Sequence, residues 1–289
     1  MLAREVHIAL PNLRLAARAW GAPSLPRLLA LHGWLDNASS FERLAPLLCK
    51  QFHIVAVDFP GHGRSDWRAS GAWYHHVDYP GDVFAAADAL GWQRFDLLGH
   101  SLGGGVATAM AAACPQRISR LLLIEALGVI ASAPEKALSH LQGALADRAS
   151  YGNKALRVFA NEEVAVAARM QANGLSREAA TVLVARGLKA VPGGFSWSSD
   201  PRLTLNSAQR FTEDQVLAIL RGVRAPTLLV LAEPDAPFLP RETMERRIAQ
   251  VADIRVVRLP GSHHLHLEDP QPVAAAIRDF LANASEAQA

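Results

Sequence analysis

The chain has 289 residues, half of them hydrophobic and 19% charged, and 29 Lys and Arg against 27 Asp and Glu leave a net charge of +2. That is enough chain to bury a large core in one or two domains, while so small a charge surplus gives no electrostatic footprint for nucleic acid or a membrane surface. No uncharged apolar run approaches the roughly 20 residues a membrane helix needs, and MLAREVHIAL has charges where a secretory leader is apolar.

In chain order, Glu5–Leu10 and Leu13–Trp20 read as two strands joined at Pro11-Asn12. Leu28–Leu31 is a short continuous apolar run, the pattern of a strand buried on both faces, and it ends in His32-Gly33-Trp34-Leu35-Asp36. Phe41, Leu44, Leu47 and Leu48 have helical spacing. His53–Val57 is a second buried strand, stopping at Asp58-Phe59-Pro60-Gly61-His62-Gly63-Arg64-Ser65, and Asp78–Leu90 suits a helix. A third buried strand ends at Gly99-His100-Ser101-Leu102-Gly103, followed by an uncharged small-residue helix to Cys114. Ile118–Ile124 is a fourth, closed by Glu125. Strands alternating with helices predict a mostly parallel sheet covered on both faces.

From about Gly128 to Gly222 the rhythm breaks. Helical patterns cover Pro134–Ala149, Asn161–Ala172, Ser176–Val191 and Thr212–Leu220, with a turn-rich link at residues 192–201 between the last two. Strand chemistry then resumes at Thr227–Leu231, as though a sheet had been interrupted, which predicts an inserted helical cap over residues 128–222 within a core of 1–127 and 223–289. Ala232-Glu233-Pro234-Asp235, a helix near Pro240–Val251, a strand at Ile254–Leu259, Gly261-Ser262-His263-His264 and a helix over Gln271–Ala282 complete the chain. Cys49 and Cys114 fall in apolar helical settings, as packing thiols of a reducing compartment do, which predicts a cytoplasmic protein.

Gly99 to Gly103 is G-x-S-x-G between a strand and a helix, the context in which it marks a nucleophile elbow. Acyl transfer needs a nucleophile, a base, a carboxylate to orient the base, and donors for the oxyanion. Ser101, His263 and Asp235 each follow a predicted strand, at the sheet edge where open α/β folds bind ligands, and their chain order is nucleophile, acid, histidine. Glu125 is a second carboxylate in reach of the acid's role; the spacing favours Asp235. Trp34, Phe59, Phe195 and Trp197 are candidates for an apolar substrate pocket. His263, His264 and His266 cluster, but no carboxylate or cysteine set completes a zinc pattern, so neither metal nor cofactor is expected.

In LALHGWLD, VAVDFPGHGRSD, LLGHSLGGG, LLVLAEPD and GSHHLHLEDP the chain resembles the α/β-hydrolase superfamily over nearly all of its length outside the cap, in particular the lidded esterases and the serine-hydrolase-like and epoxide-hydrolase-like branches. The resemblance implies an eight-stranded, mostly parallel sheet with a helical cap after the sixth strand. It implies an oxyanion hole from the backbone N–H groups of Trp34 and Leu102, and it selects His263 from the cluster. One departure is Ala232, where the family usually has glycine shortly before the acid. The expected activity is a cofactor-free serine esterase acting on a small, mainly apolar carboxylic ester, with no nucleic-acid or membrane partner. The same triad also serves carbon–carbon bond hydrolysis, perhydrolysis and thioester hydrolysis, and a non-catalytic ligand-binding protein can use the same fold. Substrate identity and oligomeric state are not written in these patterns.

Overall fold

A computed structural model describes residues 3–153 and 157–286. Its strands are β1 (Arg4–Ala9), β2 (Arg14–Trp20), β3 (Arg27–Leu31), β4 (His53–Val57), β5 (Phe95–His100), β6 (Ile118–Ile124), β7 (Leu188–Val191), β8 (Gly194–Trp197), β9 (Thr227–Glu233) and β10 (Ile254–Pro260). Its helices are α1 (Ala45–Leu48), α2 (Tyr79–Ala89), α3 (Leu102–Ala113), α4 (Ala137–Ser150), α5 (Glu162–Asn173), α6 (Arg177–Gly187), α7 (Glu213–Leu220), α8 (Arg241–Ile248), α9 (Leu265–Glu268) and α10 (Pro270–Glu286). Eight strands make one sheet in the order β1-β2-β4-β3-β5-β6-β9-β10. β2 is antiparallel to β1 and β4, and every other neighbouring pair is parallel.

The continuous apolar runs follow from burial on both faces. In β3, Leu29 and Leu31 point to one side and pack with Val83 of α2, Val106 and Met110 of α3, and Leu220 of α7. Leu28 and Ala30, one residue out of phase, point to the other side and pack with Leu48 of α1 and Val273 and Ile277 of α10. A parallel strand covered by helices on both sides has no solvent face on which to alternate polar residues. Because the parallel strands run the same way, the ends of β3, β5, β6, β9 and β10 open on one edge. Among the described residues, no helix is long and apolar enough to cross a membrane.

The segment between β6 and β9 has an apolar cluster of its own, built from Phe159, Ala165, Val166, Leu175, Leu183 and Val184, and Leu267 of α9 completes it. Three details differ from the sequence reading. The helical pattern over Ser176–Val191 stops at Gly187, and Leu188–Val191 pairs with Gly194–Trp197 as a hairpin. Its turn is Pro192-Gly193, with Gly193 at φ 85°, the proline-then-glycine signature of a type II turn. Second, α7 buries Val216, Leu217 and Leu220 against the sheet-side cluster and so packs as part of the core layer. Third, the helical spacing over Phe41–Leu48 is a 3₁₀ turn at Ala38–Phe41 followed by the single turn α1.

Buried ion pairs fasten this segment to the sheet. Arg186 of α6 donates from Nε to both oxygens of Asp58 (3.1 and 2.9 Å) and from Nη1 to Glu5 (2.8 Å). Asp58, fully buried at the end of β4, also accepts from the backbone N–H of Ala38 (2.6 Å) and Arg64 (2.8 Å). Removing one partner of such a pair leaves the other charged and unsolvated. Arg186→Ala is therefore expected to destabilise the protein by about 3–5 kcal/mol, measured as the change in urea unfolding free energy; a loss under about 1 kcal/mol, the scale of an exposed pair, would contradict this account.

Candidate active site

Ser101 lies between β5 and α3 with φ 52° and ψ −116°, a conformation that side chains adopt only when their surroundings force it. The surroundings are Gly99 and Gly103. A Cβ on Gly103 would lie 2.1 Å from the Leu31 carbonyl oxygen, and one on Gly99 would lie 2.4 Å from that of Gly103. The turn is held by Ser101 N–H donating to Ile124 O (3.1 Å) and Gly103 N–H donating to His32 O (3.0 Å). As the first residue of α3, Leu102 has a backbone N–H with no partner inside the helix.

His263 follows β10 and comes to the elbow through its backbone. Nε2–H of His100, the residue before Ser101, donates to His263 O (2.8 Å), and the two rings are 4.8 Å apart. His263 Nδ1 meets Oε2 of Glu125 at 3.2 Å. Glu125 is buried and has φ 55°, which turns its side chain across the sheet edge, where Oε1 accepts the Ala232 N–H (2.5 Å). Of the two carboxylates weighed from the sequence, Glu125 and not Asp235 therefore meets the histidine. Asp235 is turned away, bonded to Arg241 Nε (2.8 Å) and Arg258 Nη1 (2.5 Å), and these guanidiniums hold its carboxyl below the ordinary range. Those arginines carry no signal in the local motif, so position after β9, chain order and spacing before His263 pointed to Asp235. Phe238, on the same loop, packs edge-on to the His263 ring at 4.8 Å and is half-exposed.

The turn after β3 is closed by Asp36 N–H donating to Gly33 O (3.1 Å), with Leu35 at φ 58°. His32 braces it: Nδ1–H donates to Gly33 O (2.7 Å), and Nε2 accepts the Phe59 N–H (3.1 Å), which fixes a neutral tautomer. Trp34 is exposed, with its indole N–H on Leu203 O (3.1 Å). Phe59 is fully enclosed against the rings of His32 and Tyr79, so its ring belongs to the core. Phe195 and Trp197 lie on β8. Trp197 packs edge-on to Phe159 inside the segment after β6 and, together with Arg169 and Leu183, lines a crevice of about 50 Å³ between that segment and the turn after β3.

Beneath the elbow, Asp36, His100 and His264 bring donor atoms within 4.8 Å of one another. The sequence reading missed this group, because His100 and Asp36 are far from the histidine cluster along the chain. Its charge is already balanced. Asp36 is bonded by Arg169 of α5 and by His264 Nε2–H (3.3 Å), and a metal ion would add uncompensated charge to a buried site. Burial raises a carboxyl's pKa, but His264, Arg169 and His100 outweigh it and hold Asp36 well below the ordinary value. His266 Nε2 is paired with the Ser40 hydroxyl (2.9 Å).

Comparison with known proteins agrees with this fold. The family model described as the alpha/beta hydrolase fold matches residues 26–270. A serine hydrolase-like protein of Danio rerio is 33% identical over 96% of this chain and 88% of its own length. A crystal structure of a hypothetical protein from Pseudomonas aeruginosa PAO1 superposes with a TM-score of 0.91 at 45% identity, covering 96% of this chain and 99% of that one. A thioesterase domain from the curacin biosynthetic pathway superposes with a TM-score of 0.83 at 26% identity, covering 96% and 99%.

Burial lowers the pKa of His32 to about 4, and those of His62 and His266 to about 3. In the unfolded chain these rings titrate near 6.5, so below that pH the unfolded state binds protons that the native state refuses. Stability is expected to be flat above about pH 7.5 and to fall as pH drops from about 6.5 toward 4, each ring contributing up to ~1.4 kcal/mol per pH unit. Urea unfolding at a series of pH values tests this; stability unchanged between pH 7 and 5 would contradict it.

Proposed function

The chain belongs to the α/β-hydrolase family, and on that footing we propose that it is a serine hydrolase cleaving a small, mainly apolar carboxylic ester. Ser101 is the nucleophile, His263 the base and Glu125 the acid, with the N–H groups of Trp34 and Leu102 as the oxyanion hole. The observation that carries this reading is the His263–Glu125 pair, at 3.2 Å, beside a serine held at φ 52°. In this reading the segment from residue 128 up to α7 acts as a cap over the site, and the exposed rings of Trp34 and Phe238 give its mouth an apolar rim.

The chemistry follows from the donors and acceptors. With Nδ1–H committed to Glu125, the His263 ring presents Nε2 as a lone pair, the form a base needs. It takes the Ser101 proton as Oγ adds to the ester carbonyl, and the carbonyl electrons move to an oxygen held by the two N–H groups. Collapse expels the alcohol, which receives the proton from Nε2, leaving an acyl-serine. Water repeats the sequence, and the carboxylic acid leaves. Glu125 stays ionised and stabilises the imidazolium in both halves. A thioester is the second substrate class supported, by the likeness to the thioesterase domain; the same steps apply with a thiol leaving.

Ser101→Ala is expected to lower kcat on p-nitrophenyl esters by roughly 10⁴-fold and to abolish fluorophosphonate labelling. Turnover above a tenth of wild type would sink the reading. For the acid, Glu125→Gln is expected to lower kcat by roughly 10³–10⁴, and Asp235→Asn by less than about tenfold, through loss of its arginine contacts. The reverse order of the two variants would return the acid's role to Asp235.

A further inference from the structure

We propose that Arg169, carried by the cap on α5, is a positioning residue for the catalytic apparatus: through Asp36 it holds the oxyanion turn and the histidine loop in register with Ser101. The activity arm of this inference rests on the serine-hydrolase reading above.

Asp36 stands where three stretches of chain meet. Its own backbone closes the turn that carries Trp34, through Asp36 N–H to Gly33 O at 3.1 Å. Its Oδ2 accepts from Nε2–H of His264, the residue after the base (3.3 Å), and lies 3.8 Å from Nδ1 of His100, the residue before the nucleophile. Nε2–H of that same His100 ring holds the His263 carbonyl at 2.8 Å. One carboxylate thus touches neighbours of the base and the nucleophile and closes the turn of the proposed oxyanion donor. Its side chain is 1% exposed, so it depends on a partner, and the cation in contact with it is the guanidinium of Arg169, on the other oxygen.

The cap grips the same segment at two further points. Leu267, four residues after the base, completes the cap's apolar cluster. Glu268 Oε1 accepts the Ser176 N–H at the start of α6 (2.8 Å). Ser176 and Arg169 flank the α5–α6 connection, so one corner of the cap holds both the loop's backbone and the carboxylate beneath it. Without Arg169, Asp36 is left buried and uncompensated, and the turn and the loop are the parts able to move to bring it to water. Displacement of reacting groups by about 1 Å costs on the order of 10²-fold. The loss falls on chemistry and not on binding, since Asp36 is buried beneath the turn.

The test uses the full chain with Arg169→Ala and Arg169→Lys, measuring kcat and KM on the best p-nitrophenyl ester, the rate of fluorophosphonate labelling, and amide hydrogen exchange. Arg169→Ala is expected to lower kcat and the labelling rate by roughly 10²-fold, with KM changed less than about threefold. Exchange rises over residues 33–38 and 261–268 while β5 stays protected. Arg169→Lys keeps about a tenth of wild-type kcat. Millimolar guanidinium, entering by the crevice beside the pair, restores the Ala variant in part. Exchange that rises only within residues 162–187, with kcat within about threefold of wild type, overturns the proposal. Should Arg169→Ala fail to fold, Arg169→Lys, which keeps the charge and loses the planar fork, carries the test; a roughly tenfold loss of kcat with KM retained supports the proposal, and wild-type kcat overturns it. If the wild-type protein neither turns over esters nor takes the probe, the serine-hydrolase reading falls, and exchange at the two segments alone decides the role of Arg169.

Discussion

A carboxylate removed from water must be met by N–H groups or by a cation, and three such carboxylates set where the working parts of this molecule lie. Asp58 gathers two backbone N–H groups and Arg186 at the end of β4. Asp36 gathers Arg169 and His264 under the turn after β3. Glu125 gathers the Ala232 N–H and His263 at the end of β6. Each stands just past a parallel strand, at the edge where strand ends converge. The hydrophobic layers fix the sheet and its helices; these polar knots fix the loops, which have little apolar surface of their own to bury.

The fold was legible because its signals are local. Strands buried on both faces leave continuous apolar runs, and His53–Val57 and Ile118–Ile124 coincide with β4 and β6. The elbow was legible for the same reason, since it needs glycines at fixed offsets from one serine. The carboxylate that meets His263 was not, because a carboxylate's partner depends on backbone direction and on arginines elsewhere. Positive φ at Glu125 turns it inward, while Arg241 and Arg258 claim Asp235. Phe59 was misplaced by a similar limit: an aromatic ring near a site can face the site or the core, and packing against His32 and Tyr79 decides it. Strand β7 hid at the end of the Ser176–Val191 helical pattern, and β8 in the turn-rich link that Pro192-Gly193 opens.

Histidines illustrate how one residue type divides its labour by surroundings. His32 braces a turn in a fixed neutral tautomer, His100 ties the histidine loop to the elbow, and His266 is committed to Ser40. His263 differs from them in having a partly exposed ring with one nitrogen held by a buried carboxylate. Enclosure keeps His32, His100 and His266 from taking protons, so these three serve as neutral hydrogen-bonding struts.

The two arginines that reach from α5 and α6 into the core, Arg169 and Arg186, also bear on how such a chain can change over generations. A cap fastened only by apolar contact can be exchanged for another of similar shape. Here an exchanged α5–α6 segment must bring both guanidiniums at the right positions, or the core must lose both aspartates in the same step, because either half alone leaves a naked buried charge. The segment between β6 and β9 is therefore coupled to the sheet side chain by side chain: a change at either arginine calls for a matching change at its aspartate.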